Sequence, residues 1–138
     1  MTYSGRINIS TKGDNEIVDI TGEIRSILSE SGVTEGSVLI FVPGATGAVT
    51  TIEYEPGLVK DLPSLMESLV PEGVNYSHNE TWGDGNGHSH LRASLVGPSL
   101  TIPVIGAEPV LGTWQQIVFL EFDNKPHDRK LVVQVSGE

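Results

Sequence analysis

The chain contains no cysteine, which excludes disulfides and thiolate metal ligands and leaves histidine and carboxylates to hold any ion. A cysteine-free chain also fits a reducing compartment. No apolar run approaches the ~18–20 residues of a membrane span. The opening M-T-Y-S-G-R-I-N-I-S lacks the basic-then-apolar pattern of a secretory signal, so the expected location is the cytoplasm. Positive charge is scarce: eight Lys plus Arg stand against eighteen Asp plus Glu, a formal net charge of −10. Binding a phosphate backbone requires a dense basic surface, so neither nucleic acid nor a membrane is expected as a partner. Two or three local cations would still suffice for a small phosphorylated ligand. Nucleophile motifs such as G-x-S-x-G are absent, and Gly44–Gly47 lacks the G-K-[ST] ending of a P-loop.

What is present suits one domain spanning residues 1–138, with 38% hydrophobic residues to build a single core. Arg6–Ser10 and Glu16–Ile20 read as extended segments joined by the turn chemistry of Thr11–Asn15, a hairpin. Ile20, Ile24, Ile27 and Leu28 recur at helical spacing, and Gly32 supplies the stop. Ser37–Val42 is an apolar run too short for a helix, expected as a strand buried on both faces. Ala48–Tyr54 is rich in strand formers. Leu58, Leu62, Leu65 and Leu69 mark a helical pattern that Pro63 should split, with Ser64 and Glu67 a capping box for the second piece. Asn75–Gly87 shows no period, and Leu91–Leu95 suggests one helical turn. Leu100–Val104, Thr113–Phe122 and Lys130–Val135 complete the strands. The expected class is α+β, a mostly antiparallel sheet packed by two or three short helices.

Three of the four histidines fall close together: His78, His88 and His90. In an extended segment residues i and i+2 point the same way, so His88 and His90 could converge on one divalent metal, zinc being the natural choice, with His78 arriving from the other end of the loop. Asp84 or Asn86 could orient a ligand imidazole. The competing reading is an exposed glycine-rich loop that happens to carry histidines. His127, among turn residues, reads as solvated. Asp84-Gly85-Asn86-Gly87 begins like a calcium loop, but Ser89 and Leu95 stand where that motif needs glycine and glutamate.

Gly44-Ala45-Thr46-Gly47 follows a strand, where a backbone nest with Thr46 could bind a substrate anion; a tight turn is the plainer reading. Glu53 is a candidate general base if it faces the histidines, and otherwise a solvent-facing strand carboxylate. Arg92, two residues past His90, could hold a phosphate or carboxylate; Arg129 with Lys130 is a second possibility. Trp114 and Gln115 combine a flat ring with an amide and suit a heteroaromatic substrate, unless the ring is core.

The blocks F-V-P-G-A-T-G-A-V-T-T-I-E, D-G-N-G-H-S-H-L-R-A-S-L-V-G-P-S-L-T-I-P, L-G-T-W-Q-Q-I and R-K-L-V-V-Q-V-S-G-E together resemble the YjbQ family over nearly the whole chain. The resemblance implies a small α+β homotrimer, and a secondary thiamine-phosphate synthase activity is attributed to some members. His78 matches the family's histidine before the acidic loop, Asp84 and Asn86 its D-x-N, His90 its histidine, Arg92 a basic position and Glu53 the glutamate closing the first block. Many relatives carry histidine where this chain has Gly44, whereas His88 occupies a position that is usually small or proline. The expectation is that His88 replaces the lost ligand. The resemblance thus implies a metal-binding enzyme acting on a small phosphorylated or heterocyclic substrate. The alternative is a non-catalytic trimeric module that binds a metal or small ligand.

Overall fold

The computed structural model describes all of residues 1–138. Its elements are β1 (Thr2–Thr11), β2 (Glu16–Asp19), α1 (Thr21–Ser31), β3 (Glu35–Phe41), β4 (Gly47–Glu53), α2 (Pro56–Leu69), α3 (Ser77–Trp82), α4 (Gly87–Val96), β5 (Ser99–Ile105), β6 (Glu108–Pro109), β7 (Gln115–Glu121) and β8 (His127–Gly137). They form two antiparallel sheets, ordered β1-β8-β3-β5-β6 and β2-β7-β4. The α+β class stands. No helix is long and apolar enough to cross a membrane.

The main core lies between the two sheets and includes α1, whose Ile20, Ile24, Ile27 and Leu28 pack with Val38, Ile40, Phe119 and Leu131. A smaller core joins the other face of the three-stranded sheet to α2 and α4 through Ala48, Met66, Ala93, Val118 and Leu120. The strand buried on both faces is therefore β7, where Ile117 to Glu121 are all buried. The expectation had assigned that place to β3. Its sequence is a continuous apolar run, but only alternate residues turn inward, leaving Leu39 and Phe41 exposed at 36% and 41%.

The expected N-terminal hairpin does not form. β1 pairs with β8 from Thr2↔Ser136 to Thr11↔His127, while β2 pairs with β7. Asp14 and Asn15 adopt positive φ as turn residues do, but their turn carries the chain from one sheet to the other. The Asp14 N–H donates to the Asp123 carbonyl at 2.7 Å, pinning this turn beside the end of β7.

Helix α2 runs through Pro63 without a break. Its start is capped by Glu55, whose carboxylate accepts from the Gly57 and Leu58 N–H groups. The expected internal capping box is absent, because the Ser64 hydroxyl bonds back to the Lys60 carbonyl instead. The largest difference lies further on: α3 occupies part of the aperiodic segment, and α4 is a ten-residue helix starting at Gly87. Its buried face carries His88, Ser89 and Arg92 beside Ala93, so the apolar period that announces a helix is missing.

Candidate functional site

Strand β7 ends at Glu121 and the chain continues through Phe122 to Asp123; both carboxylates are buried, Glu121 at 0% and Asp123 at 2% exposure. A carboxylate in such a place must find partners or lose its charge. Glu121 accepts from Arg129 Nε at 2.8 Å and Nη2 at 2.5 Å, and from the Thr11 hydroxyl at 2.7 Å. Asp123 Oδ1 accepts from Asn86 Nδ2 at 3.2 Å and the Asn124 N–H at 2.8 Å. Its Oδ2 accepts from the Thr46 hydroxyl at 3.2 Å and from His127 Nε2 at 2.6 Å. Burial alone would raise the Asp123 pKa; the donors, His127 foremost, outweigh it and lower the value to about 2.

Asn86 carries this network outward. With its amide nitrogen committed to Asp123, its Oδ1 faces His78 Nε2 at 3.0 Å. His78 Nε2 is therefore the protonated nitrogen of the neutral ring, a tautomer assigned from the bond pattern. The His78 and His90 rings lie 4.2 Å apart between centroids, tilted by 51°. Desolvation first, then the neighbouring His78, hold the His90 pKa below the ordinary imidazole value. His90 lines a cleft of about 140 Å³ with Gly44, Ala45, Ser94 and Pro98. A neutral imidazole beside a second imidazole, at an opening, has the properties of a proton acceptor.

Helix α4 separates the histidines that the spacing seemed to unite. Two residues on a helix lie about 200° apart around the axis. His90 looks toward His78, whereas His88 is 3% exposed and turned toward Arg92, Glu67 and Glu72. The premise of an extended H-x-H segment is corrected, and nowhere do three histidine or carboxylate side chains stand as a group that could hold an ion. What surrounds His78 is Asp84 Oδ1 at 3.7 Å and the Asn86 amide oxygen. The residues present do not fit a three-imidazole zinc centre.

The other candidates divide. Arg92 belongs with His88, four residues back on the same helical face. It is 2% exposed and donates to the Val70 carbonyl at 3.0 Å, Asn15 Oδ1 at 2.9 Å and Glu67 Oε2 at 2.7 Å. Its guanidinium is a tie inside the fold, which removes it from the cleft where a substrate phosphate would meet it. Thr46 reaches the site, but its hydroxyl is held between Asp123 and Arg129 Nη2. Glu53 lies at the opposite end of β4, opposite Gln115 in the register and, at ~3.3 Å per residue, roughly 20 Å from Thr46. Trp114, 72% exposed, sits at that far end too, and the Gln115 side chain bonds Thr51 and Gly112. Within one protomer these three do not meet the histidines.

Sequence reasoning passed over Glu121 and Asp123 and read His127 as solvated, whereas its Nε2 bonds the buried Asp123 at 2.6 Å. A signal existed: two carboxylates closing a near-continuous apolar strand can be buried only in pairs, and the facing strand carries His127 and Arg129.

The model of the family described as "UPF0047 protein YjbQ-like" matches residues 5–138. A UPF0047 protein of Methanothermobacter thermautotrophicus is 38% identical over 99% of this chain and 93% of its own length. The protein YugU of Bacillus subtilis is 33% identical over 95% and 97% respectively. Among solved structures, a YbjQ-like protein of unknown function from Sulfolobus solfataricus superposes with a TM-score of 0.95 at 34% identity, covering 100% of this chain and 99% of that one. A YjbQ/UPF0047 protein of Clostridium acetobutylicum gives 0.87 at 35% identity, over 95% and 98%. This chain belongs to the YjbQ family.

Proposed function

We propose that the protein is an enzyme moving protons at the His78–His90 pair on a small phosphorylated or heterocyclic substrate. The observation that carries this reading is His90: its ring makes no hydrogen bond within the protein, faces the cleft, and packs in a tilted contact against a histidine whose tautomer is fixed through Asn86. His90 takes a proton from a substrate hydroxyl, amine or bound water. Asn86 positions His78, and Asp123 holds Asn86 while staying charged. In this reading Asp84 is a positioning group beside His78.

Thiamine phosphate synthesis is the specific reaction the family resemblance suggests. It joins a pyrimidine pyrophosphate to a thiazole phosphate and releases pyrophosphate. A cleft of about 140 Å³ falls short of the ~300–1,000 Å³ usual for such ligands, so one protomer does not enclose the pair. A homotrimer would supply further walls, and the exposed Trp114 and Gln115 are suited to bring the ring-stacking surface from a neighbouring copy.

The test is to assay thiamine phosphate formation and phosphoester hydrolysis with wild type, His90→Gln, His78→Gln and His88→Ala. Loss of a general base lowers turnover by about 10²–10⁴-fold; His88→Ala should leave it within about threefold. Full activity in His90→Gln would overturn the proposal. Binding without turnover under every condition would favour a ligand-binding module.

A divalent metal remains a second reading, favoured by the approach of Asp84 to His78. Its ligands would be His78, His90 and Asp84 after side-chain rearrangement, without His88. Metal analysis of untagged protein checks it: stoichiometric zinc that disappears in His78→Ala and persists in His88→Ala supports this set.

A further inference from the structure

Arg129 offers more than its ion pair with Glu121 uses. A guanidinium has five N–H donors. Nε and Nη2 are committed to Glu121 and Thr46, while Nη1 donates to no protein atom. The side chain is only 8% exposed, yet no side-chain nitrogen or oxygen sealed from water lacks a partner. Nη1 therefore opens to solvent.

It opens at Gly44. A Cβ on that residue would lie 3.1 Å from Nη1, and the backbone φ of +136° disfavours any side chain there. The absence of a side chain keeps the guanidinium edge accessible. Gly44 and Ala45 line the His90 cleft, and neither of their N–H groups donates to another backbone group. Two unengaged amides next to a free guanidinium edge are donors available to a single anion. The Phe119 ring lies beneath the guanidinium, 5.8 Å from its carbon, and helps fix its plane.

We infer that Arg129 Nη1 with the Gly44 and Ala45 amides forms an oxyanion subsite at the Gly44 rim of the His90 cleft, behind the residues that line it, taking one phosphate or carboxylate group of the substrate. This deepens the proposed function and rests on His90 marking the reacting centre. The cleft volume of about 140 Å³ accommodates one such group. Glu121 balances the formal charge of Arg129, so the subsite selects by directed hydrogen bonds. It anchors the charged head of the substrate while the remainder meets His90.

The experiment titrates inorganic phosphate, acetate and chloride, at matched ionic strength, into the isotope-labelled full chain and follows backbone and guanidinium resonances. Saturable shifts at Gly44, Ala45 and Arg129, with Glu53 and Gly112 unmoved, are the expected result. Stronger binding of phosphate identifies a phosphate ester as the source; stronger binding of acetate identifies a carboxylic acid. Shifts that are absent, or equal with chloride, overturn the inference. Gly44→Ala should weaken the preferred anion at least tenfold. The double change Arg129→Met with Glu121→Gln removes the buried pair together and should abolish its binding; unchanged binding in either folded variant also overturns it. His90→Gln should keep anion binding. Loss of turnover alone in that variant separates the fate of this subsite from that of the proposed chemistry.

Discussion

At the residue scale, two titrating groups tie acid stability to the site. Asp123 has its pKa lowered from 3.8 to about 2, so its contribution is present above pH ~4 and is lost as pH falls toward 2. Its size is roughly 2 kcal/mol at neutral pH. Asp123→Asn should show a correspondingly shallower loss of stability over that window in denaturant melts; an unchanged profile would contradict the network described. His88 has its pKa lowered from 6.5 by burial and then by Arg92. Below pH 6.5 the unfolded chain takes up this proton more readily, so stability falls as the solution is acidified. His88→Gln should flatten that fall below about pH 6.5. For His90, the same direction of shift keeps the base neutral to lower pH than an ordinary imidazole. The acid limb of any activity profile should accordingly lie below pH 6.5.

At the scale of elements, α4 shows what the sequence could and could not convey. His78, Asn86 and His90 were legible as a site because polar, aperiodic residues gathered in one segment. That they occupy two helices was not, since a helix whose buried face holds His88, Ser89 and Arg92 gives no apolar stripe. The error in conformation then became an error in chemistry, because i and i+2 converge on a strand and diverge on a helix. α1 was readable for the opposite reason: Ile24, Ile27 and Leu28 form an apolar stripe at helical spacing on its inward face. β1 and β2 were each visible as strands, but their partners, β8 and β7, lie more than a hundred residues away in the chain. Local turn chemistry could not identify them. Arg92 is the fastening of α4, joining it to the end of α2 and to the turn after β1. Arg92→Met should cost about 2 kcal/mol through the lost bonds to the Val70 carbonyl and Asn15, since Glu67 is 54% exposed and stays solvated. A loss below about 1 kcal/mol in chemical denaturation would show that the tie is dispensable.

At the scale of the whole molecule, the two sheets leave one broad face without a covering layer. On it Phe41 and Leu39 stand beside Val132 and Thr101 in the register, an apolar centre with a polar surround, as interfaces have. In the homotrimer proposed above, sedimentation should give three times the 14.8 kDa chain mass. Phe41→Asp should shift the population toward single chains. Monomer at micromolar concentration in the wild type would remove the neighbouring walls on which the larger substrate depends. The distance between the Glu53–Trp114 end and the histidine end gives this result its weight, since only another copy can bring them together.

Strand β7 lies between both cores, ends on Glu121 and holds Asp123 two residues further on. In terms of time, its central amides are among those that exchange with solvent only when the whole fold opens. The carboxylates at its end are tied to the same slow clock. Gly44 and Ala45 are exposed and α3 buries no residue, so these outer segments open more readily. In the proposed function, substrate would come and go by motion of that outer wall, while the charged anchor beneath it persists for the lifetime of the folded molecule.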